Sequence, residues 1–295
     1  MPTDRSTSVV FQASFNCLWC GRPHQTRGAD DIEGFALLCP ECVGRAQDNE
    51  FLRFRLREGL RARTAVQAQP ASTPVGDPDA EMKEYYVARA AEYDDWYLRR
   101  GRYSHGPIAD VAWQADLDRA TLWLDGLPLA GEIVELAAGT GWWSPLLAQK
   151  GELWLYDANE EPLDRARERL LAHGLRAHIH VRDAWQPPDR QVDGLFTGFW
   201  LSHMPRDRLP VFLATCRSWL KPTGTFAFID EAPGPDHTPT VDDLQPRTAA
   251  DGRQFHIPKI YYTAAELEGA LAAAGFSSAQ VTSTNRYFLC GWAKA

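Results

Sequence analysis

The chain has 295 residues, of which 24% are charged and 44% hydrophobic, and a formal net charge of −8, enough for one full α/β domain plus a small extra module. The acidic balance argues against an overall nucleic-acid or anionic-membrane surface. No apolar run approaches a membrane span, and the polar start Met1–Ser8 lacks the apolar core of a secretory signal, so a cytoplasmic location without membrane contact is expected.

Four of the six cysteines fall in one short stretch, as Cys17-Leu-Trp-Cys20 and Cys39-Pro-Glu-Cys42, two CxxC pairs eighteen residues apart. A cytosolic chain keeps its thiols reduced, which makes the cluster a metal question, with a redox pair or free thiols as the alternatives to zinc. Two hairpins of paired thiolates complete a tetrahedron around one zinc ion, a zinc-ribbon-like arrangement with no open position and hence a structural role. A module this small cannot fold on its apolar surface alone, and metal binding supplies the missing energy. His24 could substitute as a ligand but is read as a turn residue. Residues 48–63 then form a basic helix behind an Asp/Asn cap, with five arginines and one glutamate from Phe51 to Arg63. The alternation of Arg with apolar residues in its first half leaves a strand open. Residues 64–79, with Pro70, Pro74, Gly76 and Pro78, have a linker composition. The expected domains are therefore 1–63, a linker 64–79, and 80–295.

From residue 80 a tyrosine-rich helix runs to Arg100 and a second from about Ala109 to Gly126. Strand and helix signals then alternate, which predicts parallel βαβ units. Strands are expected at Glu132–Ala137, Glu152–Tyr156, Arg176–Val181, Val192–Phe199 and Thr225–Ile229. Helices are expected at Trp142–Gln149, after Asn159 with Pro162 in the first turn, and at Asp207–Leu220, stopped by Pro222 and Gly224. Residues 232–258 hold five prolines and read as an irregular insertion. Thr263 and Glu266 make a capping-box pattern, and two strands close the chain near Ala279–Thr284 and Tyr287–Trp292.

The segment Glu135-Leu-Ala-Ala-Gly139-Thr-Gly141 follows a strand and opens a helix. A glycine pair alone fits any tight βα turn. Sixteen residues after Gly141, however, the next strand ends at Asp157, where a carboxylate can accept from two ribose hydroxyls. A dinucleotide turn needs a third glycine three residues on. Here Ser144 stands there behind Trp142 and Trp143, crowding the place of a pyrophosphate. S-adenosylmethionine (SAM) has no phosphate. It offers a carboxylate to a helix N-terminus and a sulfonium to aromatic faces.

Glu135–Gly141, Asp157 and Asp183-Ala184 after the third strand together resemble successive motifs of class I SAM-dependent methyltransferases, nearest to their quinone-biosynthesis-like small-molecule branch. The resemblance covers roughly residues 80–295. It implies an α/β, Rossmann-like seven-stranded sheet whose last strand is antiparallel. It also implies that the glycine turn lies under the methionine part, that Asp157 holds the ribose, and that Asp183 meets the adenine amino group with Ala184 at the ring. The cofactor set is then Tyr86, Glu135, Ala137, Gly139, Gly141, Trp142, Asp157, Ala158, Asp183, Ala184 and Phe199. Glu135 either simply ends its strand or, as the resemblance implies, is a ligand near the methionine end or a support for the turn. Tyr86, Tyr93 and Tyr97 either lid the pocket or belong to the core. Trp143 and Trp185 read as packing.

After the fourth strand, Thr197–Pro205 is where the family places the face toward the methyl group and acceptor. His203 is the preferred base, because an unperturbed imidazole titrates near neutrality; its alternative is a cap or a buried-carbonyl partner. Asp230 and Glu231 follow as candidates, with a strand-end turn as their alternative. Arg247–Tyr262, with Arg253, His256, Lys259 and Tyr261, reads as a solvated loop that could supply acceptor-binding groups. Gly198-Phe199-Trp200-Leu201 is not the Asn/Asp/Ser-Pro-Pro-aromatic tetrad of base-amine and glutamine methylation, and neither Cys216 nor Cys290 suits cytosine carbon-5 chemistry. The expected reaction is therefore SAM-dependent methyl transfer to an O or N atom of a small-molecule acceptor. The alternatives are an RNA or protein methyltransferase docking its substrate through residues 1–63, a non-catalytic SAM-binding protein, or another SAM-using transferase. No motif specifies an oligomeric state.

Overall fold

The computed structural model describes residues 14–26, 31–47, 49–67, 78–234 and 244–295. The chain divides into two compact units, residues 1–75 and 76–295. Most of the expected linker lies outside the described residues. Among the described residues no helix is long and apolar enough to cross a membrane.

The smaller unit opens with a hairpin, β1 (Ser14–Asn16) and β2 (Pro23–Gln25). Two short helices follow, α1 (Ile32–Ala36) and α2 (Pro40–Gly44), then α3 (Glu50–Gln67). Residues 48–63 are thus helical in their described part rather than a strand, and the helix runs past the expected boundary. Asn49 caps it through Oδ1, which accepts Leu52 N–H at 3.1 Å. Its middle is committed to the unit: a Cβ on Gly59 would stand 3.0 Å from Ala36, and Arg55 Nε donates to Ala36 O at 3.2 Å.

The larger unit begins with α4 (Pro78–Arg89), a 3-10 turn (Ala90–Glu92) and α5 (Tyr93–Tyr97), so the single helix expected over 80–100 is broken. After α6 (Pro107–Gly126) come β3 (Glu132–Leu136), α7 (Ser144–Ala148), β4 (Glu152–Asp157), α8 (Glu160–Ala172), β5 (His178–Val181) and β6 (Val192–Gly198). Then follow α9 (Leu209–Ser218), β7 (Leu220–Glu231), β8 (Leu244–Thr248), β9 (Gln254–Pro258), α10 (Ala264–Ala273), β10 (Ser278–Ser283) and β11 (Phe288–Lys294). The seven-stranded sheet has the order β10-β11-β7-β6-β3-β4-β5. Its last strand, β11, is antiparallel to both neighbours, while β3–β7 run parallel.

Two expectations are corrected. Pro222 and Gly224 do not separate helix from strand: α9 ends at Ser218 and β7 runs through both residues, with a register irregularity against Val192/Gly194. Residues 244–258 are not irregular but an antiparallel hairpin, β8 with β9. Standing apart from the main sheet, it tolerates Pro246 and Pro258 at positions a central ladder would reject.

Strand alternation distributes the core. Val134 and Leu136 face the layer of α9 and α10, whereas Ile133 faces that of α6, α7 and α8. Glu135 shares the face of Ile133 and is 1% exposed. Asp116 of α6 ties the β10–β11 connection: its buried Oδ2 accepts from Arg286 N at 2.8 Å, Tyr287 N at 2.9 Å and Thr284 Oγ1 at 2.9 Å. Thr263 and Glu266 form the reciprocal cap of α10.

Candidate functional site

The carboxyl ends of β3, β4 and β6 converge on one cavity, where parallel α/β sheets present ligand-binding groups. About 670 Å³ of space, part of it open to solvent, lies between Tyr86, Ala137, Gly139, Asp157, Asp183, Ala184, Phe199 and His203. Two of these wall residues hold a left-handed backbone without being glycine: Ala137 (φ 51°) and Phe199 (φ 56°). Such strain costs roughly 1–3 kcal/mol per residue and gathers at functional sites. Here β6 and β7 hold Phe199 in place, its N–H donating to Ile229 O at 2.7 Å.

The turn glycines do different work. Gly139 (φ 55°) has nothing within 4 Å of where its Cβ would stand, so a side chain there would enter the space the turn leaves at the cavity. Gly141 (φ 70°) lets α8 approach: its Cβ would sit 2.6 Å from Ala166 Cβ. Gly141 is outside the cavity lining. So is Trp142, which stacks on Tyr97 at 4.2 Å between ring centres. Glu135 is also outside, accepting Ser144 Oγ–H at 2.6 Å. Burial pushes its carboxyl up to about 8 against that hydrogen bond, so it supports the turn in protonated form.

Asp157 fastens the turn to the next strand. Gly139 N–H donates to one carboxylate oxygen and Asn159 N–H to the other, both at 2.9 Å. Burial raises its carboxyl to about 6, while the two backbone donors act to lower it. Asn159 precedes α8 as expected, but its side chain does not cap the helix; Nδ2 donates to Lys83 O at 3.3 Å. Asp183 takes Trp185 N–H at 3.0 Å and forms an ion pair with Lys83 Nζ at 2.7 Å. Lys83 belongs to α4, so the helix is pinned to the cavity through both contacts. Met82, Pro162, Ala158 and Ala184 give the lining an apolar stretch beside the two carboxylates. A nucleoside needs this combination of a flat apolar slot for a ring and a carboxylate for hydroxyls. The bare turn at Gly139 and the aromatic rings of Tyr86, Tyr93 and Phe199 suit the sulfonium end of SAM.

His203 lies where the cavity meets a second, more polar chamber. Its Nδ1 is 2.6 Å from Pro258 O, which assigns the proton to Nδ1, and its Nε2 accepts the Tyr86 hydroxyl at 2.7 Å. The neutral value assumed from sequence does not hold. Burial, and then the charge of Lys259, lower His203 to about 3, so it is a neutral imidazole at ordinary pH. Lys259 is 5% exposed and bonds Glu231 at 2.5 Å and Ser202 Oγ at 2.8 Å. Glu231 is thereby held in an ion pair outside the first cavity. Asp230 has a structural position, accepting Ser202 N–H at 3.0 Å and Glu231 N–H at 2.7 Å.

The chamber spans about 1270 Å³, open to solvent in part, with Arg89, Arg99, Arg247, Lys259, Glu231 and Tyr261 on its wall. Tyr86, Tyr93, Phe199 and His203 line both spaces. The loop reading of 247–262 is therefore corrected: Lys259 and Tyr261 enter the chamber, while Arg253 pairs with Asp251 and His256 with Glu81. Arg89 and the Lys83–Asp183 pair were missed in the sequence. The hairpin left one signal there, Asp251-Gly252 ahead of alternating Phe255 and Ile257.

In the smaller unit, Cys17, Cys20, Cys39 and Cys42 bring their four sulfurs within 4.8 Å of one another. Cys20 and Cys39 sulfurs are 3.7 Å apart, too far for a disulfide and close to the ~3.8 Å edge of a tetrahedron with 2.3 Å metal–sulfur bonds. Burial acts to raise the Cys17 thiol, but backbone N–H groups of Cys20, Cys39 and Trp19 outweigh it and bring it to about 6.

The match to a family model described as a methyltransferase domain covers residues 133–224. A curated relative, the ubiquinone/menaquinone biosynthesis C-methyltransferase UbiE of Bordetella avium, is 30% identical over 167 residues, 54% of this chain and 60% of its own length. The chain thus matches under two thirds of that relative. A solved DhpI–SAH complex is 32% identical, covering 73% of this chain and 96% of its own, with a TM-score of 0.59. A DhpI–SAM–HEP complex is 30% identical, covering 76% and 100%, with a TM-score of 0.61. The magnesium protoporphyrin IX methyltransferase of Synechocystis PCC 6803 with bound SAM is 20% identical at a TM-score of 0.52, covering 76% of this chain and 99% of its own, a likeness of fold alone.

Proposed function

The chain belongs to the class I SAM-dependent methyltransferases, and on that premise we propose that it transfers the methyl group of SAM to an O or N atom of a small molecule held in the polar chamber. One observation carries this reading: the nucleoside-sized cavity and the chamber share Tyr86, Tyr93, Phe199 and His203 as common wall. A methyl donor on one side and an acceptor on the other would meet there.

In this account Asp157 holds the ribose hydroxyls, Asp183 with Ala184 meets the adenine, and Ala137–Gly139 runs beneath the methionine portion. Bound SAM supplies an electrophilic methyl on a sulfonium. The protein's part is positioning, which dominates catalysis of in-line displacement. His203 locks the Tyr86 hydroxyl at the junction by accepting its proton donation, and the Pro258 carbonyl fixes the imidazole tautomer. An imidazole that takes up a second proton only below about pH 3 is a weak base. His203 therefore acts chiefly by orienting Tyr86, and the acceptor atom is one that attacks without first losing a proton to a strong base.

The four thiolates of the smaller unit hold one zinc ion as a closed structural site. The fit rests on the donor set and its sulfur spacing, and no step of the reaction involves it.

The test is incubation of the protein with methyl-tritiated SAM and fractionated cell extract. Label is expected in the small-molecule fraction. Label confined to RNA or to protein would refute the proposed acceptor class.

A further inference from the structure

Arg89 ends α4 with 7% exposure and carries its charge at every accessible pH. Four aromatic rings surround the guanidinium, Tyr93 at 4.7 Å, Tyr103 at 5.1 Å, Tyr85 at 5.7 Å and Trp96 at 5.9 Å. Its Nε–H donates to Tyr103 Oη at 3.2 Å. Among the described residues its two terminal NH₂ groups have no hydrogen-bond acceptor, and no carboxylate comes within ion-pair reach. A buried cation left without a counter-charge is unfavourable unless something else supplies one.

The chamber around it repeats the imbalance. Arg247 spends its donors on Gln245 Oε1 at 2.7 Å and on Pro246 O at 3.2 Å. Arg99 lies 3.5 Å over the Trp113 ring and bonds Tyr103 O at 3.3 Å. Neither forms an ion pair with a carboxylate among the described residues, although Glu231 and Asp110 act on Arg99 at longer range. Glu231 is the one carboxylate on the described wall, and Lys259 already balances it. Three guanidinium groups thus face a partly open space whose one described carboxylate is already paired with Lys259.

We infer that the chamber recognises an oxyanion on the acceptor, a carboxylate or a tetrahedral group such as a phosphate, seated on the terminal nitrogens of Arg89 with Arg247 and Arg99 completing the charge. This rests on the chamber being the acceptor site. A guanidinium fork suits either anion, since both offer two oxygens at its spacing. Tyr93, which packs on Arg89, also lines the nucleoside cavity, so the anion would be anchored one ring away from the junction. A polar uncharged wall would have accepted neutral acceptors; this wall penalises them.

The experiment is calorimetry on the full chain saturated with S-adenosylhomocysteine (SAH), titrated with inorganic phosphate, benzoate and neutral benzamide. Phosphate or benzoate is expected to bind at least tenfold more tightly than benzamide, and the stronger of the two identifies the anion's shape. That affinity should fall tenfold or more in both Arg89→Gln and Arg247→Gln, while SAH affinity stays within twofold of wild type. Retained SAH binding shows that each variant is folded, and Arg247→Gln decides the matter if Arg89→Gln does not fold. Anions binding no better than benzamide, or equally well in the variants, would overturn the inference. Failure of SAH to bind the wild type would instead defeat the methyltransferase reading itself.

Discussion

Asp157 offers the sharpest test of the nucleoside assignment, through pH. Its carboxyl is raised to about 6 by burial, against the hydrogen bonds from Asn159 and Gly139. A carboxylate that accepts ribose hydroxyls must be ionised in the complex, so binding is linked to its deprotonation. With a value near 6, roughly one tenth is ionised at pH 5 and nine tenths at pH 7, and SAH affinity should rise about tenfold across that interval, ~1.4 kcal/mol. The sign is fixed: the free protein holds the proton at low pH, SAH must displace it, and affinity levels off above about pH 7. Near pH 6 binding should release about half a proton, readable by calorimetry in buffers of different ionisation enthalpy. Asp157→Asn removes the ionisation, and its amide can accept only one of the two backbone N–H groups. That variant should show a flat profile and bind ~10- to 100-fold more weakly at pH 7.5, the value of one or so charge-assisted hydrogen bonds. A wild-type affinity that does not change between pH 5 and 7, or an Asp157→Asn protein with wild-type affinity, would refute the reasoning.

Other outcomes follow from particular contacts. Gly141→Ala forces an L-residue into φ 70° and a Cβ 2.6 Å from Ala166, and urea unfolding should show a loss of at least ~1–2 kcal/mol; an unchanged midpoint would contradict the close α8 approach. Asp116→Ala strands the Arg286 and Tyr287 N–H groups, and at ~1–3 kcal/mol per unsatisfied donor the cost should reach about 3 kcal/mol; a loss below ~1 kcal/mol would show that water or relaxation replaces the carboxylate. Tyr86→Phe and His203→Ala should lower the rate of methyl transfer more than they change SAH affinity; equal losses in both would mean that the pair serves binding alone. Metal analysis should find about one zinc per chain, and Cys42→Ser should lose it; protein folded and metal-free after reducing purification would remove the zinc assignment.

Local signals carried much of this architecture. The glycine turn, the strand-ending Asp157 and the two CxxC motifs are readable because each depends on residues close in the chain, although the second CxxC opens helix α2 and is not the expected hairpin. The capping box of α10 is legible for the same reason, four consecutive residues satisfying one helix end. The features that give the site its character depend on pairs far apart. His203 reads as a base in isolation, yet its value is set by burial, by the charge of Lys259 and by the Pro258 carbonyl, and its Nε2 is taken by Tyr86, 117 residues upstream. Glu231 looks like a free carboxylate until Lys259 is brought against it. Prolines at 246 and 258 hid a hairpin, because the rule they break applies to central strands and not to a two-stranded sheet standing apart. Arg89 gives no local signal at all: its rings come from α4, α5 and the following turn, and the absence of a carboxylate becomes visible only when the chamber is assembled.

The central claim is that the cavity bounded by Gly139, Asp157 and Asp183 is built for SAM and not for a dinucleotide. Calorimetric titration of the full chain with SAH, and separately with NAD, tests it most directly. One SAH per chain is expected, with NAD binding at least a hundredfold more weakly. NAD binding as tightly as SAH, or no measurable SAH binding to the folded protein, would contradict the account.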